Sequence, residues 1–217
     1  MKTDTKKLTT AAMLCAIAYV VMFVGRIPIS TVDFLKYDPK DIIIAIGGFI
    51  YGPAAAFLIT VVVSAIEMAT VSTTGIIGFI MNMVQSCAFA CTAAYVYKKN
   101  HTIKGAVRGL ALGCLLATGA MLLWNYCLTP IYMGMPRETV AQMLLPVFLP
   151  FNIIKGGINV ALTILLYKHA VTALRKANLV PPSHNDTHTG GNVHIIIIAI
   201  VLLAVCVLAV LMNRVII

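Results

Sequence analysis

Asn152, Lys155 and Asn159 fall at i, i+3 and i+7 in a stretch otherwise free of charge, so on a helix they form one polar stripe. Asn82, Gln85 and Ser86 share one face of a second apolar run, and Trp124 and Asn125 lie near the end of a third. A carboxamide offers donors and an acceptor, and an ammonium three donors, so these groups can grip a polar molecule. They do not make an acid–base pair. No HExxH, GxSxG, P-loop or GxGxxG pattern occurs in the chain, so enzymatic chemistry and autonomous ATP hydrolysis are not expected.

The elements that carry these residues follow from composition. The 217 residues are 60% apolar and 11% charged, with a mean hydropathy of +0.96. A soluble domain carries about 25% charged residues. Half that density, arranged as long uncharged runs, excludes a water-soluble fold and intrinsic disorder. The excess of 16 Lys and Arg over 7 Asp and Glu would suit nucleic acid, but the basic residues form short clusters between apolar runs. The sequence predicts an all-α, multi-pass protein of the cell membrane.

A span needs about 20 apolar residues. The runs are Leu8 to Gly25, Ile42 to Ile66, Gly75 to Tyr97, Gly109 to Leu128, Val140 to Tyr167 (interrupted by Lys155) and Ile195 to Asn213. The first is read as an uncleaved helix, since no small-x-small cleavage site follows it. Lys2, Lys6 and Lys7 place the N-terminus inside. If Ile42 to Ile66 crossed once, the clusters Lys98, Lys99, Lys104, Arg108 and Lys168, Arg175, Lys176 would lie outside. Splitting it at Gly52-Pro53 puts both inside, with Arg26, Lys36, Lys40 and Arg137 outside, and proline disfavours helix at the residue before it. Asp38 is expected to cap the helix that follows, with Pro39 at its first position and Asp41 at the third.

The expected organisation is a six-helix membrane domain over 1–176, a polar linker over 177–193 and an extra C-terminal hydrophobic helix over 194–217. The outer segments are Arg26 to Tyr37, Val71 to Thr74 and Thr129 to Thr139. His184, His188 and His194 lie in or beside the linker and are read as solvated, with no metal expected. The six cysteines, without a CxxC pair, are read as small buried thiols. Gly105, Gly109, Gly113 and Ala117 recur every fourth residue, as do Ala12 and Ala16; such faces allow close helix contact, either internal or with another subunit.

Polar side chains at membrane depth face a cavity or one another. Asn82, Asn125, Asn152 and Lys155 are expected to gather near the outer surface, beside loops rich in aromatic residues. Interhelical amide bonds and a snorkelling Lys155 are the structural alternative. A cavity with flat apolar walls and a few fixed polar groups suits a planar heterocycle with a hydrogen-bonding edge.

At these residues the chain resembles the substrate-binding subunit (S component) of energy-coupling factor (ECF) vitamin transporters, riboflavin type. The resemblance covers roughly residues 8 to 176. It rests on Phe34-Leu35-Lys36-Tyr37-Asp38 through Asp41, Gly47-Gly48-Phe49-Ile50-Tyr51-Gly52-Pro53, Asn125 with Leu128-Thr129-Pro130, Tyr132-Met133-Gly134-Met135-Pro136-Arg137, and Leu149-Pro150-Phe151-Asn152-Ile153-Ile154-Lys155-Gly156. It implies a six-helix fold and capture of riboflavin near the outer surface. It also implies partnership with a transmembrane coupling protein and two cytoplasmic ATPases, Ala12 and Ala16 matching the docking motif AxxxA. Riboflavin is then a transported ligand and no cofactor is expected. The binding residues expected are Leu35, Lys36, Tyr37, Asn82, Asn125, Asn152 and Lys155, with Asn159 and Gln85 behind them. FMN, another vitamin such as thiamine, and a non-transporting membrane sensor are the alternatives. The seventh hydrophobic segment departs from the family pattern, as an anchor or an assembly element.

Overall fold

The computed structural model describes residues 2–28, 35–72, 74–176 and 193–215. The linker over 177–192, with His184 and His188, and Phe34 lie outside the described residues. Helix α1 spans Lys2–Gly25. A two-residue strand β1 (Ile27–Pro28) pairs antiparallel with β2 (Lys36–Tyr37), and α2 (Lys40–Tyr51) and α3 (Pro53–Thr70) follow. Helix α4 (Gly75–Ser86) runs through a π-helical turn, Cys87–Cys91, into α5 (Thr92–Lys99). After α6 (Ile103–Met133), α7 (Arg137–Met143) runs through a second π turn, Leu144–Phe148, into α8 (Leu149–Lys176), and α9 is Val193–Val215. Counting α4–α5 and α7–α8 as single rods gives the six expected membrane helices plus the extra one.

The break at Gly52-Pro53 is where the sequence places it. Gly52 has φ of 92°, a conformation that a β-carbon opposes, and Pro53 opens α3, where its missing N–H is no loss. Six of the rods are long and apolar enough to cross a membrane; α2 is not among them. Its 12 residues rise only about 18 Å, against the ~30 Å of a hydrocarbon core. The extended chain of β2 must therefore descend into the bundle to meet it, and this brings Leu35 to Asp38 to the site.

The start of α2 differs from the capping expected. Pro39 occupies the cap position and no side chain caps the helix. Asp38 and Asp41 are buried and turn to other partners, described below. Lys40, expected as an outer flanking charge, is 1% exposed.

Helix α1 divides cleanly. Thr10, Leu14, Ala18 and Met22, four residues apart, are buried, whereas Ala12, Ala16, Val20 and Val24 on the other face are exposed. The core joins Leu14 and Ala18 to Ile44, Phe49, Ile59, Phe89 and Leu110. The glycines of α6 serve internal packing. A β-carbon on Gly109 would lie 2.7 Å from the carbonyl oxygen of Ala93, and one on Gly113 2.4 Å from that of Phe89. The stripe on α6 is thus the seat of α5 and its preceding π turn. All six cysteines are free; Cys127 departs from the expectation in being exposed.

Gly113→Ala is expected to lower the thermal unfolding midpoint in detergent, at a cost of about 1–3 kcal/mol from forced overpacking against backbone. Gly119, on the same helix, has open space where its β-carbon would be. Gly119→Ala should leave the midpoint unchanged or raise it by helix propensity. Equal effects of the two would sink this account of the α5–α6 contact.

Candidate functional site

The first group to place is Lys155. Residue 149 opens α8 directly after a π turn that contains Pro146, and the helix then presents Asn152 and Lys155 on one side. The Lys155 ammonium is 3.6 Å from Asp38 Oδ2, and both side chains are buried. It does not snorkel. Burial raises the Asp38 carboxyl, but the charges of Lys155, Lys40 and Arg26 outweigh this and hold it below the usual carboxylate range. Asp38 is the anion that keeps an ammonium at this depth.

A second pairing lies behind it. Glu67, near the end of α3 and 1% exposed, takes a short contact from the Lys40 ammonium and lies 3.7 Å from Arg26 at the end of α1. Arg26, which starts the first outer segment, and Lys40, in the first turn of α2, are thereby tied to one carboxylate. Asp41 accepts from the Ser86 hydroxyl, and from Asn159 Nδ2 at 3.4 Å. Asn159 Oδ1 accepts in turn from the Tyr37 hydroxyl at 2.9 Å. Burial first, then the carboxylates Asp38 and Asp41, push the Tyr37 phenol above its usual range, so it stays a donor.

These ionic groups open onto a cavity of about 210 Å³, lined in part by Arg26, Asp38, Glu67 and Lys155. Six of the seven expected binding residues line it: Leu35, Lys36, Asn82, Asn125, Asn152 and Lys155. Tyr37 is not in the lining; its ring packs in an apolar cluster and its hydroxyl turns to Asn159. Of the two secondary candidates, Gln85 lines the cavity and Asn159 lies beneath it. Trp124 is not in the lining, and its buried indole N–H has no partner among the described residues.

The amides are held in part and free in part. Asn125 Nδ2 donates to the Met121 carbonyl at 2.8 Å, and Asn125 Oδ1 accepts from Thr129. Asn152 Nδ2 donates to the Phe148 carbonyl at 2.8 Å. Each amide uses one N–H to fix its rotamer against the preceding turn and keeps a second N–H. Asn152 Oδ1 has no partner among the described residues. Met81, Ile77, Met121 and Phe151 supply apolar wall between these groups.

The sequence reading missed Arg26, Asp38 and Glu67 as lining groups. Arg26 reads as the start of an outer segment, Asp38 as a helix cap, and Glu67 follows a run that ends at Ile66. The signal was present in Glu67, because the apolar run resumes after it with Met68-Ala69 and Val71. An acid inside such a run calls for a buried partner. Among the described residues, no cluster of three His, Cys, Asp or Glu is placed to hold a metal.

Comparison with known proteins gives the same architecture. The chain is 28% identical to the riboflavin transporter RibU of Staphylococcus aureus over 181 residues, which are 80% of this chain and 94% of that protein. It is 29% identical to RibU of Streptococcus thermophilus, over 76% of this chain and 82% of that one. To the riboflavin transporter FmnP of Bacillus subtilis it is also 29% identical, over 70% and 84%. A solved S component of a bacterial ECF transporter superposes with a TM-score of 0.68 at 28% identity, over 79% of this chain and 99% of its own. Residues 6–167 match the family described as ECF transporter, substrate-specific component. With six rods long enough to cross a membrane and this match over most of its length, the chain belongs to the family of ECF transporter substrate-specific components.

Proposed function

We propose that this protein captures riboflavin from outside the cell and delivers it inward together with an ECF energising module. One observation carries the reading. Carboxamides from α4, α6 and α8 and the Lys155 ammonium face a single cavity with apolar walls. A flavin matches that set. Its pyrimidine edge presents C=O, N–H and C=O in one plane, which a carboxamide can meet with two bonds, and its ribityl hydroxyls need several further donors and acceptors. Asn82, Asn125, Asn152 and Lys155 are the polar contacts in this reading, with Leu35 and Lys36 closing the cavity from the first outer segment. Tyr37 supports them from behind. The curated relatives with the same span are riboflavin transporters, which favours riboflavin over thiamine and over a sensor without transport.

Energy would come from partners. A transmembrane coupling protein and two cytoplasmic ATPases form the module in this reading, and Ala12 and Ala16 on the exposed face of α1 are the docking surface. Two small residues one turn apart let another helix backbone approach closely. Residues 1–176 form the vitamin-binding domain, 177–193 a linker and 194–217 an additional membrane segment.

Protein purified from flavin-containing cells is expected to be yellow and, once stripped, to quench added riboflavin fluorescence with near 1:1 stoichiometry. Colourless protein that leaves flavin emission unchanged would overturn the proposal. Asn152→Ala should weaken riboflavin binding by about 1–3 kcal/mol, the cost of leaving a buried flavin group unpaired. Titration showing unaltered affinity would remove that amide from the site. Ala12→Leu and Ala16→Leu should abolish uptake in cells while sparing riboflavin binding in detergent; uptake at the normal rate would show that α1 docks no partner through this face.

A further inference from the structure

Helix α9 has no counterpart in the family match, which ends at residue 167. As a plain anchor it would need only to be apolar and would have no reason to fit the bundle. It does fit. Gly157 of α8 leaves room for it: a β-carbon there would lie 2.8 Å from Cys206 Sγ and 3.8 Å from Leu202 Cδ1. Gly156, the residue before it, gives the same close approach to Cys114 of α6. Cys206 is buried, whereas Val205, Val207 and Leu208 around it are exposed, so α9 presents one narrow face inward.

That face joins the apolar cluster behind the cavity. Cys206 belongs to one cluster with Leu35, Tyr37, Phe148 and Phe151, and Leu202, Leu203 and Val210 pack against it. Leu35 and Phe151 line the cavity, and Gly157 is two residues from Lys155 on the same helix. We infer that α9 is a positioning element of the binding site: seated through Cys206 and Leu202 on Gly157, it backs α8 and fixes Phe151, Asn152 and Lys155 against the ligand. Close-packed interiors transmit a displacement of this size, so a wedge under α8 reaches the cavity wall. The inference rests on the riboflavin reading for its ligand, though not for its effect on α8.

The test compares two full-length variants that each introduce a phenylalanine on α9. Cys206→Phe drives a ring between α9 and Gly157; Val205→Phe adds it to the exposed face and leaves anchoring intact. In lipid nanodiscs, Cys206→Phe is expected to release riboflavin roughly tenfold faster, equivalent to about 1.4 kcal/mol, and Val205→Phe at the wild-type rate. Hydrogen exchange on ligand-free protein should rise over residues 149–158 in the first variant alone. Leu203→Ala, which opens a void where Cys206→Phe makes a clash, should shift both readouts the same way and serves if the larger variant does not fold. Wild-type release and exchange in Cys206→Phe or, where that chain does not fold, in Leu203→Ala would overturn the inference, as would equal effects of Cys206→Phe and Val205→Phe. A wild-type protein that ignores riboflavin would sink the functional reading instead, and the exchange data would still decide the role of α9.

Discussion

Three cations and two carboxylates are paired at the outer end of this bundle, and their mutual neutralisation governs its construction. Arg26 and Lys40 stand against Glu67, and Lys155 and Lys40 against Asp38, while Asp41 is held by the Ser86 hydroxyl and the Asn159 amide. A lone charge at membrane depth costs several kcal/mol even after relaxation, so the buried members Asp38, Lys40, Glu67 and Lys155 depend on these pairings. The groups come from the end of α1, the descending strand, the start of α2, α3 and α8. Satisfying them sets the relative height of five segments at once.

This constraint explains why a helix as short as α2 is tolerated. Its first turn carries Lys40 to the Glu67 carboxylate and Asp41 to the Ser86 hydroxyl, so it can begin well below the surface. The strand that feeds it arrives extended, with Leu35 and Lys36 at the cavity and Tyr37 behind it. The amides share the cavity lining with Arg26, Asp38, Glu67 and Lys155, and Asn125 and Asn152 are each held by a bond to their own helix with capacity left for a ligand. A neutral, multiply hydrogen-bonding molecule suits such a lining, because it meets donors and acceptors without adding a net charge to the ion pairs there.

The outside of the bundle shows the complementary economy of a membrane protein. Large apolar side chains of α1, α3, α6 and α9 face outward, where lipid takes the place of a protein core. Small residues mark helix contacts at Gly109 and Gly113 inside the fold and at Gly157 beneath α9, and Ala12 and Ala16 lie on a face that no described residue of this chain covers.

Periodicity and composition determined the helices, because burial of backbone polar groups in lipid leaves helix as the solution for such runs. They determined the split at Gly52-Pro53, since the distribution of basic residues and the chemistry of proline agree on it. The stripe Asn152, Lys155 and Asn159 was also legible, as was the gathering of Asn82 and Asn125 with it. The stripe divides by depth, however: Asn152 and Lys155 reach the cavity, and Asn159 serves Tyr37 and Asp41 below. Spacing along a helix fixes the face and not the level at which a neighbour meets it. Asp38 and Asp41 read as helix-start residues because local propensity sees only the next turn. Their partners are Lys155 and Ser86, 117 and 45 positions away in sequence, and pairings at such separation exist only after the helices have packed.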